Sequence, residues 1–186
     1  MGQKGAQTRG RMLDAAQDLI ESGGYYGAGL NQVLAVSGAP KGSLYFHFPG
    51  GKDQLVAESL RRAGQEISVE VRNLASSAPD TATVVAGLLG LLGDRLEASD
   101  WRKGCPVATV ALDISAVNEM LRQVCSEVYQ SWENALRNRL IADGHPVPDD
   151  TATAILAAIE GALLLARVHR SREPLKRVSR AVSVLL

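Results

Sequence analysis

Apolar residues recur at helical spacing along almost the whole chain. Met12, Ala15, Ala16, Leu19 and Ile20 fall at i, i+3, i+4, i+7 and i+8, with Asp14, Asp18 and Glu21 on another face, which predicts an amphipathic helix. Ser22-Gly23-Gly24 stops it. A shorter set, Leu30, Val33 and Leu34, ends at Ser37-Gly38. The stretch between Pro40 and Pro49 leaves room for a helix of about two turns. Leu55, Val56, Leu60, Ala63, Ile67, Val71 and Leu74 form one stripe that starts near Lys52 and breaks at Ser76-Ser77-Ala78-Pro79-Asp80. Residues 84–96 are aliphatic, with Gly87, Gly90 and Gly93 three apart, a face suited either to close helix contact or to leaving space for a ligand. Lys103-Gly104-Cys105-Pro106 reads as a turn. Val117, Met120, Leu121, Val124, Val128, Trp132, Leu136 and Leu140 predict a long helix that Gly144-His145-Pro146 ends. Residues 152–170 and 175–186 predict the last two, split by Pro174. With no period-two alternation and no repeat, the expected fold is all-α with about nine helices. It divides into a small N-terminal module, residues 1–50, and a helical bundle, residues 51–186.

Three helices within the first fifty residues, the second and third joined by Ser37-Gly38-Ala39, fit a helix-turn-helix. In that motif the second helix of the pair enters the major groove by its N-terminal end. Here that end is Pro40-Lys41-Gly42-Ser43. Pro40 suits a first helical position, where its missing N–H is no loss. Gly42 costs about 1 kcal/mol of helix propensity relative to Ala, a cost that makes sense where a backbone must come close to a partner. Lys41 offers charge and Ser43 a hydroxyl to phosphates or base edges. Leu44 and Phe48, four apart, can dock the short helix onto the first. Tyr45 and His47 then lie toward the flank, within reach of phosphate oxygens.

Charge sharpens the picture. Among 186 residues, 20 Lys and Arg balance 20 Asp and Glu, so no global field favours nucleic acid. The positive charge is local: Lys4, Arg9 and Arg11 precede the first acid, and residues 22–52 hold Lys41 and Lys52 with no acid. Cys105 and Cys125 form no C-x-x-C pair and the three His residues have no metal spacing, which implies reduced thiols, a cytoplasmic setting and no cofactor. No signal-peptide pattern opens the sequence. The longest apolar run, 154–168, is interrupted by Glu160 and falls short of the ~20 residues of a membrane span, so no membrane partner is expected.

The stretch GLNQVLAVSGAPKGSLYFHFPGGKDQL, preceded by TRGRMLDAAQDLI, resembles the DNA-binding domain of the TetR/AcrR family of transcriptional regulators. GLNQVL, GAPKGSLY and HFPGGK resemble its YxaF/LmrA-like branch, as does GCPVATVALD at residues 104–113 in the ligand-binding half. The resemblance implies a homodimer that represses transcription at a palindromic double-stranded DNA operator and is released by a small-molecule effector. It places DNA contacts at Thr8 or Arg9, at Asn31 and Gln32, at Ala39, Pro40, Lys41, Gly42, Ser43, Tyr45 and His47, and at Lys52. Ala28-Gly29 stands where the wider family has a Thr or Ser cap, and Pro40 where a Ser is common, so hydroxyl contacts of other members do not transfer.

Candidate effector-lining residues are Leu88, Leu92, Trp101, Cys105, Val107, Met120, Val124, Val128 and Trp132, each of which could equally be plain core. No buried acid or base stands out among them, which points to an uncharged aromatic, flavonoid-like or drug-like compound, mostly through the resemblance. The expected dimer interface is the last two helices, through Ile155, Leu156, Ile159, Leu163, Val178 and Val182, with Leu164, Leu165, Leu185 and Leu186 adding apolar surface. Two rival readings lack DNA binding: an enzyme using Cys105 as nucleophile, for which no His or Asp has a motif relation, and a helical protein-interaction adaptor, which has no need of Lys41, Gly42, Tyr45 and Lys52 in this arrangement.

Overall fold

The computed structural model describes residues 2–186, which form nine α-helices and no strand. In chain order they are α1 (Gln3–Gly27), α2 (Leu30–Ser37), α3 (Ser43–His47), α4 (Gly51–Ser77), α5 (Thr81–Ala98), α6 (Pro106–Ile114), α7 (Glu119–Ala142), α8 (Pro148–His169) and α9 (Glu173–Leu185). The chain packs as two compact units. One takes the residues through Ala63 together with Pro106–Val128; the other takes Gly64–Cys105 and Tyr129–Leu186. The N-terminal unit thus extends past residue 50, because the front of α4 supplies core to it and α6 lies along α1.

Its core is Met12, Leu13, Ala15 and Ala16 of α1, Val33 of α2, Ala39, Leu44 and Phe48 around α3, and Leu55 of α4. The periodic α1 stripe is therefore the buried face. The regular helix of α1 breaks where Ser22-Gly23-Gly24 predicts: Gly24 is non-helical, at φ 65° and ψ −160°, a conformation open to glycine, and helix resumes beyond the kink to Gly27. α7 starts later than the apolar pattern implies. Asn118 caps it by accepting the Leu121 N–H at 3.1 Å, leaving Val117 outside the helix and 77% exposed.

The second unit is built from α5, α8 and α9 with the back halves of α4 and α7. Its core includes Val85, Leu88, Leu89, Leu136, Leu140, Ile155, Ile159, Leu163, Leu175 and Val182. Asp80 caps α5 by accepting the Thr83 N–H at 2.8 Å. Of the three α5 glycines, two serve close contact: a Cβ on Gly87 would crowd Leu74, and one on Gly93 would sit 3.2 Å from Leu175. By length and composition alone α8 could span a membrane, more than the interrupted apolar run suggested. Its Ile155, Ile159, Ala162, Leu163 and Ala166 are instead buried in this core.

Candidate functional site

The second and third helices meet through a tight turn. Gly38 caps α2 in the left-handed region at φ 63°, and Ser37 Oγ accepts the Ala39 N–H at 3.3 Å. Pro40 does not open α3. Its carbonyl accepts the Ser43 N–H at 2.9 Å and the Ser43 hydroxyl at 2.6 Å, so Pro40, Lys41 and Gly42 form a turn and the helix has only five residues. So short a helix has no stability of its own. It is held by Leu44 and Phe48, both buried in the head core as their spacing predicts.

This arrangement turns outward Asn31, Gln32, Pro40, Lys41, Gly42 and Tyr45, the last 64% exposed, while Ser43 is half-exposed and Thr8 is half-buried with its hydroxyl on the Lys4 carbonyl at 3.0 Å. A Cβ at Gly42 would meet nothing within 4 Å, so the chain's own packing does not demand a glycine there. Ala39 is buried. Two other expected contacts are placed differently. His47 is only 9% exposed, packed edge-on between Phe46 and Phe48, and its Nδ1 has no hydrogen-bond partner among the described residues. Arg9 pairs with Glu58 and lies 5.0 Å over the Phe48 ring, tying α1 to α4. Arg11, two residues on, is exposed, and its guanidinium lies 3.9 Å from where a Cβ on Gly38 would sit, at the motif's turn. The two arginines share one basic stretch of sequence; the Glu58 pairing and the Phe48 contact set Arg9 apart.

Lys52 is half-buried, its Nζ 3.9 Å from the Tyr25 ring centroid, and burial lowers its pKa. Beside it Asp53 accepts the Tyr25 hydroxyl at 2.7 Å and the Asn118 side-chain N–H at 2.8 Å. Burial, then Asp53, raises the Tyr25 phenol to about 12. The Tyr25 N–H, freed by the kink at Gly24, donates to Asp113 of α6 at 3.0 Å, and the Thr109 hydroxyl reaches the Ile20 carbonyl at 3.3 Å. Asp113 and Asn118 thus fasten the α6 segment to the end of α1 and the start of α4.

A helix-turn-helix with this outward face matches a family model for the N-terminal domain of bacterial regulatory proteins of the tetR family over residues 12–59. Residues 81–181 match the C-terminal domain of LmrA/YxaF-like transcriptional regulators. The chain belongs to the TetR family of transcriptional regulators. It is 34% identical over 181 residues to the HTH-type transcriptional regulator LmrA of Bacillus subtilis, covering 96% of each chain, and 29% identical over 181 residues to YxaF of the same organism. A TetR transcriptional regulator structure from Chloroflexus aurantiacus superposes with a TM-score of 0.83 at 27% identity, covering 98% of this chain and 96% of that one. These are regulators, not enzymes. Cys125 is buried, and burial raises its thiol to about 11.

The residues expected to line an effector site in this TetR-family regulator divide between the two units. Val107, Met120, Val124 and Val128 belong to the first, where Met120 is 46% exposed and the three valines are buried. Leu88, Leu92, Trp101, Cys105 and Trp132 belong to the second. There Trp132 is buried and donates its indole N–H to the Gly64 carbonyl at 3.1 Å. No acid stands out among these residues in the sequence, but Glu160 of α8 lies beside Cys105. Its carboxyl is hydrogen-bonded by Cys105 and Tyr129, and Tyr129 meets the Trp132 ring edge-on at 5.6 Å. Burial raises the Glu160 pKa against those two donors. The sequence did signal it, as the lone charge in the apolar run. A separate groove of about 330 Å³ lies between α5 and α9, lined by Ala86, Leu89, Gly90, Arg172, Leu175, Lys176, Ser179 and Arg180, none of them expected.

The expected interface residues Ile155, Ile159, Leu163 and Val182 are buried in the regulator's own core, and Leu156 and Val178 are half-buried against it. What α8 exposes is the complementary stripe: Ala154, Ala157, Gly161, Leu164 and Val168, spaced 3, 4, 3 and 4 apart, with Leu165 beside it. Leu164 is 59% and Val168 68% exposed, and a Cβ on Gly161 would meet nothing within 4 Å.

Proposed function

We propose that this regulator is a dimeric repressor that binds a near-palindromic operator and leaves it when a small hydrophobic or aromatic molecule enters the C-terminal half. In this reading residues 1–50 read DNA and residues 51–186 bind effector and the second subunit, in the cytoplasm where the operator lies. Asn31, Gln32, Pro40, Lys41, Gly42, Ser43, Tyr45 and Lys52 meet the duplex with Thr8 and Arg11, while Arg9, Ala39 and His47 support the head from within.

One observation carries the dimer: the exposed stripe on α8. A seam of small and aliphatic side chains at alternating three- and four-residue spacing, open to solvent along the helix, is the pattern by which two helices pack closely. Val184 and Leu185 of α9 are exposed as well. Two copies joined there bring two heads to one duplex, and operator symmetry follows protein symmetry.

The effector reading is supported by Trp132 and Tyr129, two large rings set edge-on, with the Glu160 carboxyl hydrogen-bonded by Tyr129 beside them. Effector and operator are then linked reciprocally, with a coupling typically of about 1–3 kcal/mol.

Light scattering together with selection of duplexes from a random pool tests the reading. The wild type runs as a dimer and returns a near-palindrome; Leu164→Glu runs as a monomer and binds the selected site much more weakly. A wild-type monomer at micromolar concentration, or a selected site without symmetry, refutes it. Mobility shift of that duplex against a compound panel tests release.

A further inference from the structure

Phe46 is 74% exposed, more than any other aromatic residue of the regulator, although it sits on the helix that holds the head together. Its neighbour Tyr45 has a hydroxyl for a phosphate oxygen; Phe46 has no donor or acceptor to offer. An exposed ring at such a place is suited to an apolar partner. Along the base edges of the major groove the apolar group is the C5-methyl of thymine.

The ring is also held in place. It stands edge-on to the His47 ring, with centroids 5.0 Å apart and planes at 79°. His47 is 9% exposed and meets Phe48 at 6.5 Å, and Phe48 is fully buried. The Phe48 N–H closes α3 on the Leu44 carbonyl at 2.7 Å, and its own carbonyl accepts the Gly51 N–H at 2.9 Å. A stack rooted in the core therefore backs the Phe46 ring on one side, which reduces what ordering it costs at the moment of binding. It also gives His47 a role that its unpartnered Nδ1 does not explain: it is the pedestal on which Phe46 rests.

We propose that Phe46 determines sequence specificity by packing on a thymine methyl in each half-site, so that 5-methylcytosine can stand in for thymine at that position. This rests on the reading that the head enters duplex DNA. The test starts from the duplex selected by the wild-type protein, in which each thymine is replaced in turn by uracil, removing one methyl and leaving every hydrogen bond. Loss of one buried methyl weakens binding by about fourfold, and loss in both half-sites by about fifteenfold. The wild type loses affinity at one thymine per half-site and recovers it with 5-methylcytosine placed there opposite guanine. Phe46→Ala binds the thymine duplex as weakly as the wild type binds the uracil duplex, and is indifferent to the exchange. Phe46→Leu, which keeps an apolar contact, stays sensitive. The melting temperature of each variant checks its fold, and the uracil series needs no variant. A wild type indifferent to uracil at every position, or a Phe46→Ala variant as sensitive as the wild type, overturns the proposal. Failure to select any duplex strikes the DNA-binding reading instead.

Discussion

Asn118 donates its side-chain N–H to Asp53 at 2.8 Å, so the residue that caps α7 also holds a carboxylate in the first turn of α4. A negative charge there is favoured by the helix dipole, and the same carboxylate receives the Tyr25 hydroxyl. Three elements of the N-terminal unit therefore meet on one side chain.

The Asp53–Tyr25 contact is visible in an alkaline titration. Burial and Asp53 hold the phenol at about 12, whereas a free phenol titrates near 10. Tyr25 is neutral in both folded and unfolded chains at pH 7. As pH rises past about 10 the unfolded chain ionises first, so this group lowers stability progressively toward 12. Asp53→Asn removes the secondary cause and leaves burial. Tyrosinate absorbance is expected to show the late step moving part of the way toward 10, and an unmoved step rules the contact out as a cause.

Glu160 gives the opposite lesson about stability. Its folded pKa is raised by burial, so the folded chain holds a proton longer than the unfolded one. The penalty is absent below the unfolded value of about 4.3 and is complete once pH exceeds the folded value. Glu160→Gln keeps an oxygen to accept from Cys105 and Tyr129 without the charge. The variant is expected to melt a few degrees, roughly 2–4 °C, above the wild type at pH 7.5 and to match it at about pH 4. Equal melting at both pH values counts against a buried charge.

Asp143 works in the other direction. It accepts the Thr81 N–H at 2.7 Å and the Thr81 hydroxyl at 2.6 Å, and these bonds, helped by Arg139, lower its pKa. Its contribution is present above the ordinary carboxylate value of about 3.9 and lost as pH falls through the depressed folded value. Asp143→Ala is expected to cost about 1 kcal/mol at pH 7, the usual worth of a cap, and less at about pH 3. Urea midpoints at the two pH values measure it.

Gly24→Ala tests the kink in α1. The position has φ 65°, and a Cβ would collide with the Asp113 carboxylate. The expected cost is about 1–3 kcal/mol. Adding Asp113→Ala clears the collision but not the backbone strain, so the double variant recovers only part of the loss. Full recovery in the denaturation midpoint would assign the whole cost to the carboxylate.

What the sequence made legible follows from periodicity. Most of the α1 stripe, the Leu44–Phe48 pair and the front of the α4 seam, Leu55 to Ala63, are buried as their spacing requires, and Ile67, Val71 and Leu74 are partly so, because one hydrophobic face admits one orientation. Three kinds of feature were hidden. The helix α6 follows a turn-like Gly-Cys-Pro and is too short for a period to stand out, although it fastens α1. Arg9 and Arg11 are told apart by which meets Glu58, a contact 49 residues away. On α8 the richest apolar positions are core, and the outward stripe is a mixture of alanine, glycine and leucine that composition alone ranks lower.

Trp132 has one further use. Its indole N–H and the Ser68 hydroxyl converge on the same Gly64 carbonyl, at 3.1 and 2.9 Å, and the chain has only one other tryptophan, the half-buried Trp101. A slip of α4 past α7 by a fraction of a residue would break the indole bond and change its emission. The molecule therefore has a built-in optical gauge of the contact between α4 and α7, readable without a label.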